Sequence, residues 1–317
     1  MKIAFFYKSD EVLELLEGYF PDNEVSFLNE KLGENSIDKL KEFEILSVFV
    51  DSEVSKDIID SLPNLKFITT RSTGYDHIDY KYAESKGIKV SNVPVYGSST
   101  VAEFTFALLL NLSRKIIEAS RQLKEGGDFE VFEKFEGFDL DGKTLGVIGT
   151  GKIGKNVIRI AKAFNMKVLA FDTYPDVNFA KENNFEYQNF DEVISQSDII
   201  TLHTPYTKEN HHLLNKENIL KMKKGVYIIN TARGELVDID ALLSGINDGI
   251  IGGVGMDVLE GERNFKKGDR ISILDKHNVI ITPHIAFYSK EAMMRIMQTT
   301  VENIKSFIDG KPINLVK

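Results

Sequence analysis

Two groups of residues in this chain combine side-chain type and spacing in ways that can do chemistry. The first is Gly149-Thr150-Gly151-Lys152-Ile153-Gly154, a G-x-G-x-x-G. Alone it says little, because glycine is common. Here it follows the apolar run TLGVI and opens a segment with apolar Val157, Ile160, Ala161 and Phe164. In that setting Gly149 allows a tight turn, Gly151 lets the backbone approach a pyrophosphate, and Gly154 lets a helix pack closely on a strand. The helix N-terminus offers free N–H groups and a positive dipole end to phosphates. Asp172 ends the next run, KVLAFD, 23 residues after Gly149, where a carboxylate accepts hydrogen bonds from an adenine ribose. An Asp repels a 2′-phosphate, and Thr173-Tyr174-Pro175 holds no Arg to bind one, so the expected cofactor is NAD rather than NADP. The plain alternatives are an ordinary strand–helix turn and a solvated Asp.

The second group is Arg233, after IINTA; Glu262, in DVLEGE after GGVGMDV; and His284, after NVIITP. All three fall at the C-terminal ends of apolar runs, where open α/β sheets bind ligands. An Arg fork holds a carboxylate with two parallel hydrogen bonds. A His passes a proton to a carbonyl oxygen, and a carboxylate orients the imidazole and favours its charged form. Together they suit reduction of a keto acid. Taken singly, Arg233 reads equally as a salt-bridge residue and Glu262 as a solvated one. Of six histidines, His284 is singled out by Pro283, which stops the strand before it. His203, inside IITLH, reads as a satisfied structural residue. His211-His212 lack a third ligand at metal spacing, so no metal site is expected.

Elements must position these groups. The runs KIAFF, VSFL, ILSVFV, LKFITT and IKVSNV alternate with helical segments such as Asp10–Gly18 and Ser55–Leu62. Such repetition implies a parallel sheet of about five strands. Thr100-Val101-Ala102-Glu103 reads as a capping box that starts a long bridging helix. Residues 126–141 are irregular, with Phe129, Phe132, Phe135 and Phe138 at every third position. They form either a loop packed on its own domain or an arm against a second subunit. TLGVIG, KVLAFD, DIITLHTP, VYIINTA, GGVGMDV and NVIITPH then supply six strands of a doubly wound sheet, and Glu291 to Ile308 reads as one helix.

Bulk properties exclude several classes. At 317 residues two domains are expected, with core enough to need no staples. A net charge of −9 argues against a nucleic-acid partner, which needs a basic stripe. Without cysteine there is no disulfide framework and no thiolate chemistry. The N-terminus lacks a signal-peptide pattern, and the longest apolar stretch, Phe104 to Leu112, is far short of the ~20 residues of a membrane span. No membrane partner and a cytoplasmic location are expected.

These motifs identify a resemblance. From about Arg71 to Tyr288, the segments GYDHID, NVPVYGSSTVAEFTFALLL, GVIGTGKIGK, LHTPYT, INTARGELVD, GMDVLEGE and TPHIAFY closely resemble the D-isomer-specific 2-hydroxyacid dehydrogenases. The resemblance implies two doubly wound α/β domains. One is a flavodoxin-like substrate domain, residues 1–98 completed by 288–317. The other is a Rossmann NAD domain, residues 99–287. It implies catalytic places for Arg233, Glu262 and His284, with spacing from the Asp of GMDV favouring Glu262 over Glu260. It also implies cofactor contacts at Lys152, Ile153, Asp172, Thr204, Pro205, Asn210, Thr231, Ala232, Arg233 and Asp257, and a homodimer formed through the NAD domain.

Tyr96 in NVPVYG and the HIAFY segment look like the D-lactate dehydrogenase branch. There the tyrosine hydroxyl helps hold the substrate carboxylate, Phe287 crowds the pocket near the methyl group, and the backbone at Thr73 and Gly74 adds N–H donors. The lack of a further domain after Lys317 argues against a phosphoglycerate enzyme. One departure is Arg263, where many relatives have proline, which bears on the shape of that loop. The expected reaction is NAD-dependent interconversion of pyruvate and D-lactate. The alternatives are a reductase for glyoxylate, hydroxypyruvate or a bulkier keto acid, and an NAD-sensing protein of the corepressor kind.

Overall fold

The computed structural model describes residues 1–6, 16, 18–130, 132–265 and 272–317; most of the helical segment expected at Asp10–Gly18 lies outside them. The chain divides into two compact units, Met1–Tyr96 with Ser289–Lys317, and Gly97–Tyr288.

In the first unit, strands β1 (Lys2–Phe6), β2 (Glu24–Leu28), β3 (Ile45–Val48), β4 (Phe67–Thr70) and β5 (Lys89–Ser91) form one parallel sheet in the order β2-β1-β3-β4-β5. The inner strands β3 and β4 are buried along their whole length, as expected of a parallel sheet covered on both faces. One face is covered by the helix Lys290–Ile308, capped by the Ser289 hydroxyl. Its Met297, Val301 and Ile304 pack with Ile3, Phe5, Ile45 and Phe67, and Phe307 stacks on Phe67 with ring centres 4.4 Å apart. Buried Asn303 donates to the Asn92 carbonyl at 2.9 Å and accepts from Asn314 at 2.8 Å. Leu315 bridges Ser91, so the C-terminal residues are structural members of this sheet.

The second unit has seven parallel strands: β6 (Thr144–Ile148), β7 (Lys167–Phe171), β8 (Glu186–Tyr187), β9 (Ile199–Leu202), β10 (Val226–Asn230), β11 (Ile251–Met256) and β12 (Val279–Ile281). Their order is β12-β11-β10-β9-β6-β7-β8. The sequence gives six of them; β8 is two residues long and pairs only with β7, too short to leave an apolar signature. The strand order reverses between β6 and β9, which opens a crevice at their C-terminal ends.

The long helix spans Ser98–Arg114 and starts two residues before the expected capping box. Its N-cap is Gly97, without a side-chain cap, and Val101 N–H already bonds the Gly97 carbonyl at 2.8 Å. Thr100 and Glu103 therefore sit inside the helix. The phenylalanines at 129–138 divide. Phe138 packs on Tyr227 at 4.7 Å, Phe132 and Phe135 meet edge to face at 5.9 Å, and Phe129 is 93% exposed. No helix among the described residues is long and apolar enough to cross a membrane.

Candidate active site

The turn after β6 is built for close approach. Gly149 has φ +92, and a Cβ there would lie 2.7 Å from the His203 carbonyl and the Thr204 nitrogen. The turn after β6 therefore nests against the turn after β9. A Cβ on Gly154 would run into the Gly149 carbonyl. At Gly151, the N-cap of the helix Lys152–Ala163, a Cβ would meet nothing within 4 Å. This glycine borders open space at a twelve-residue helix's N-terminus, a cradle that fits a dinucleotide pyrophosphate. Lys152 and Ile153 form the first turn.

Asp172, just past β7, is held in place. Its Oδ2 accepts from the Thr150 N–H at 2.6 Å and the Thr150 hydroxyl at 3.0 Å, and its Oδ1 accepts from the Tyr174 N–H at 2.8 Å. Tyr187 adds a hydroxyl contact to Thr150 at 2.8 Å. Sequence reasoning missed Tyr187, because its strand leaves no apolar trace.

On the far side of the crevice, Asn210 organises its own loop. Its amide donates to the Pro205 carbonyl at 2.8 Å, and its Oδ1 accepts from Thr207 N–H at 2.7 Å. Thr204 and Pro205 lie at the start of this loop. His203 differs from the expected satisfied histidine: both ring nitrogens are buried without a hydrogen-bond partner among the described residues, and burial pushes its pKa down to about 3.

The turn after β10 carries Thr231, Ala232 and Arg233. Its organiser is fully buried Asn230, a second residue that sequence reasoning missed. The Asn230 side chain accepts from Ala232 N–H at 3.0 Å and donates to the Arg233 carbonyl at 2.8 Å. A lone Asn ending the apolar run VYII is the signal that could have revealed it. Thr231 meets Thr105 of the long helix, hydroxyl to hydroxyl, at 3.0 Å.

His284 is brought to Glu262. Its Nδ1 and the Glu262 Oε1 are 2.5 Å apart, and Glu262 Oε2 accepts from Leu259 N–H at 2.9 Å. Burial pushes the Glu262 carboxyl upward, but the His284 hydrogen bond and charge, Leu259 N–H and the Arg233 charge outweigh it, and the carboxyl titrates below its ordinary range. Glu260 pairs elsewhere, with His212 Nε2 at 2.8 Å.

His284 adopts a left-handed backbone, φ +52, uncommon for a residue with a side chain and characteristic of functional sites. Asp257 holds it there. The buried Asp257 carboxylate accepts from the Thr282 hydroxyl at 2.5 Å, Ile285 N–H at 2.9 Å and Ala286 N–H at 2.7 Å, while the Asp257 carbonyl accepts His284 N–H at 2.9 Å. Asp257, assigned to the cofactor by resemblance, is thus first a clamp on the loop that carries the imidazole. Phe287 meets the His284 ring edge to face at 6.3 Å.

Thr73, Gly74 and Tyr96 belong to the first unit. Thr73 follows β4 and its hydroxyl donates to the Val93 carbonyl at 2.8 Å. The Tyr96 carbonyl accepts from Arg295 at 2.6 Å.

Residues 106–286 match the family model described as "D-isomer specific 2-hydroxyacid dehydrogenase, NAD binding domain". The chain is 40% identical over 266 residues to the hydroxypyruvate reductase of Blautia hydrogenotrophica, covering 82% of this chain and 81% of that one. It is 37% identical over 300 residues to the D-lactate dehydrogenase of Escherichia coli, covering 91% and 90%. The crystal structure of D-lactate dehydrogenase from Aquifex aeolicus complexed with NAD and lactic acid superposes with a TM-score of 0.90 at 38% identity, covering 99% of this chain and 98% of that one.

Proposed function

The chain belongs to the D-isomer-specific 2-hydroxyacid dehydrogenases, and within that family we propose that it reduces pyruvate to D-lactate and catalyses the reverse reaction. Its cofactor is NAD. The observation that carries the reading is the Glu262–His284 pair at 2.5 Å, with the Arg233 charge acting on the same carboxylate. When bound, NADH supplies a hydride to the keto carbon. The chain's residues do the rest. Arg233 holds the substrate carboxylate through its planar fork. His284, with Nδ1 engaged by Glu262, gives the Nε2 proton to the carbonyl oxygen, so the ketone becomes an alcohol and the ring becomes neutral. Glu262 keeps the ring oriented and balances its charge until then. The resemblance assigns Thr73, Gly74 and Tyr96 to the same carboxylate as further donors. Phe287, beside the imidazole, favours a small substituent on the keto carbon. Gly149, Gly151, Lys152, Ile153 and Gly154 would hold the pyrophosphate of the cofactor and Asp172 its adenine ribose. The turns at Thr204–Asn210 and Thr231–Arg233 would help hold the same cofactor.

NADH oxidation across pyruvate, hydroxypyruvate, glyoxylate and phenylpyruvate tests this. The highest kcat/KM is expected with pyruvate, and chiral analysis should return the D-isomer. Preference for hydroxypyruvate, the substrate named for a 40% identical relative, would replace pyruvate. No turnover on any keto acid would point to a sensor rather than an enzyme. Asp172→Ala should weaken NADH binding and narrow its advantage over NADPH, read by fluorescence titration. Equal affinity of the parent for both cofactors would remove Asp172 from this role.

The same reading includes a homodimer formed through the NAD domain. Phe129 is 93% exposed, and Ile116, Ile117 and Leu123 are exposed nearby in sequence. An apolar surface of this kind is stabilised by a partner. The parent should sediment as a dimer at micromolar concentration, and Phe129→Ser with Phe132→Ser should shift it toward monomer. A monomeric parent would sink the arm reading.

A further inference from the structure

The adjacent histidines His211 and His212 lack a third ligand at metal spacing in the sequence, but the fold supplies one from 48 residues downstream. Glu260 Oε2 lies 2.8 Å from His212 Nε2, the two imidazoles stack with ring centres 3.9 Å apart and planes 21° apart, and one ligand atom from each of the three residues falls within 4.8 Å of the others. We propose that His211, His212 and Glu260 form a site for a single transition-metal dication of the zinc class. The site shares no residue with the Glu262–His284 pair and rests on nothing assumed about catalysis.

Three observations carry it. The first is donor chemistry. Two imidazoles and one carboxylate suit Zn²⁺, Co²⁺, Ni²⁺ or Cu²⁺, whereas Mg²⁺ and Ca²⁺ prefer oxygen. The second is preorganisation. His212 is fixed in the left-handed region at φ +50, which turns two successive rings to one side. Its N–H bonds the Glu235 carbonyl at 2.8 Å, and Leu214 bridges Val237. The Glu260 backbone lies so close to Gly234 that a Cβ there would run into it. Both ligand-bearing loops therefore rest on residues 234–237. The third is access with room to close. His211 and Glu260 are exposed. Tetrahedral zinc with bonds near 2.0–2.1 Å sets its ligand atoms roughly 3.3 Å apart; to reach that, the exposed His211 ring turns off its stack on His212 and away from the Tyr206 hydroxyl, 3.5 Å from its Nδ1. Solvent completes the coordination. Since the two loops flank the turn that bears Arg233, a bound ion would tie them together there.

The test uses the full chain after treatment with a chelator. Zn²⁺ is titrated by calorimetry, and Co²⁺ is followed by its visible absorption, which intensifies on four-coordinate binding. One ion per chain is expected. His212→Ala and Glu260→Gln should each weaken binding about tenfold or more. His211→Ala, at an exposed position, should do the same, which guards against misfolding of the other two. His284→Gln should leave the affinity unchanged. The proposal is overturned by no binding at micromolar protein, by binding that survives His212→Ala and Glu260→Gln, or by binding lost in His284→Gln, which would place the ion on the Glu262–His284 pair.

Discussion

Replacing His284 with Ala should lower kcat for keto acid reduction by about 10²- to 10⁴-fold, the usual contribution of a positioned general acid, with little change in NADH affinity. The pH profile separates the roles of the pair. Reduction needs a protonated imidazole, so kcat/KM should fall on the alkaline side as the ring loses its proton. The Glu262 carboxyl titrates below its ordinary range, so it sits charged beside the imidazole at neutral pH. Glu262→Gln keeps the shape and removes the charge. With the neighbouring negative charge gone, the alkaline limb of kcat/KM for reduction should move to lower pH. The profile for hydroxy acid oxidation, which needs the neutral ring, should shift in the same direction. In His284→Ala both limbs should vanish with most of the rate. The measurement is kcat/KM against pH in both directions for the parent and both variants. A limb that stays in place in Glu262→Gln would separate Glu262 from the acid's charge, despite the 2.5 Å contact.

Arg233→Lys should cost roughly 2–4 kcal/mol in kcat/KM, or about 30- to 1,000-fold. The substitution keeps the charge and loses the planar fork, so what is measured is the geometry of carboxylate binding. Because the Asn230 side chain fixes the turn on both sides of residue 233, the lysine would start from the same backbone. Tyr96→Phe removes one hydroxyl and should cost about 1 kcal/mol. Parent-like activity in Arg233→Lys would place the carboxylate clamp elsewhere.

The sequence made local devices visible and left long-range ones hidden. The glycine turn and helix entry at 149–154 follow from neighbours within a few residues, and so does the strand stop at Pro283. Which of Glu260 and Glu262 meets His284 does not. It depends on pairings across 22 and 48 residues that no local period encodes, and only family spacing favoured one. Asp257, Asn230 and Tyr187 went unassigned as loop organisers for the same reason: each acts through hydrogen bonds that exist only once the sheet has formed. The helix entry at Gly97 was missed because a plausible side-chain cap at Thr100 outweighed a glycine that caps with its backbone alone.

The helix Lys290–Ile308 belongs to the sheet formed by residues 1–96, although 192 residues of another unit intervene. On a ribosome, at about 5–20 residues per second, the face that Phe307, Ile304 and Val301 cover would wait on the order of 10–40 s for its lid. The first unit to be translated is thus the last to be finished, and the nucleotide-binding unit reaches completion before it. During that interval Phe5, Ile45 and Phe67 present an uncovered apolar surface, the kind of nascent chain on which chaperones act.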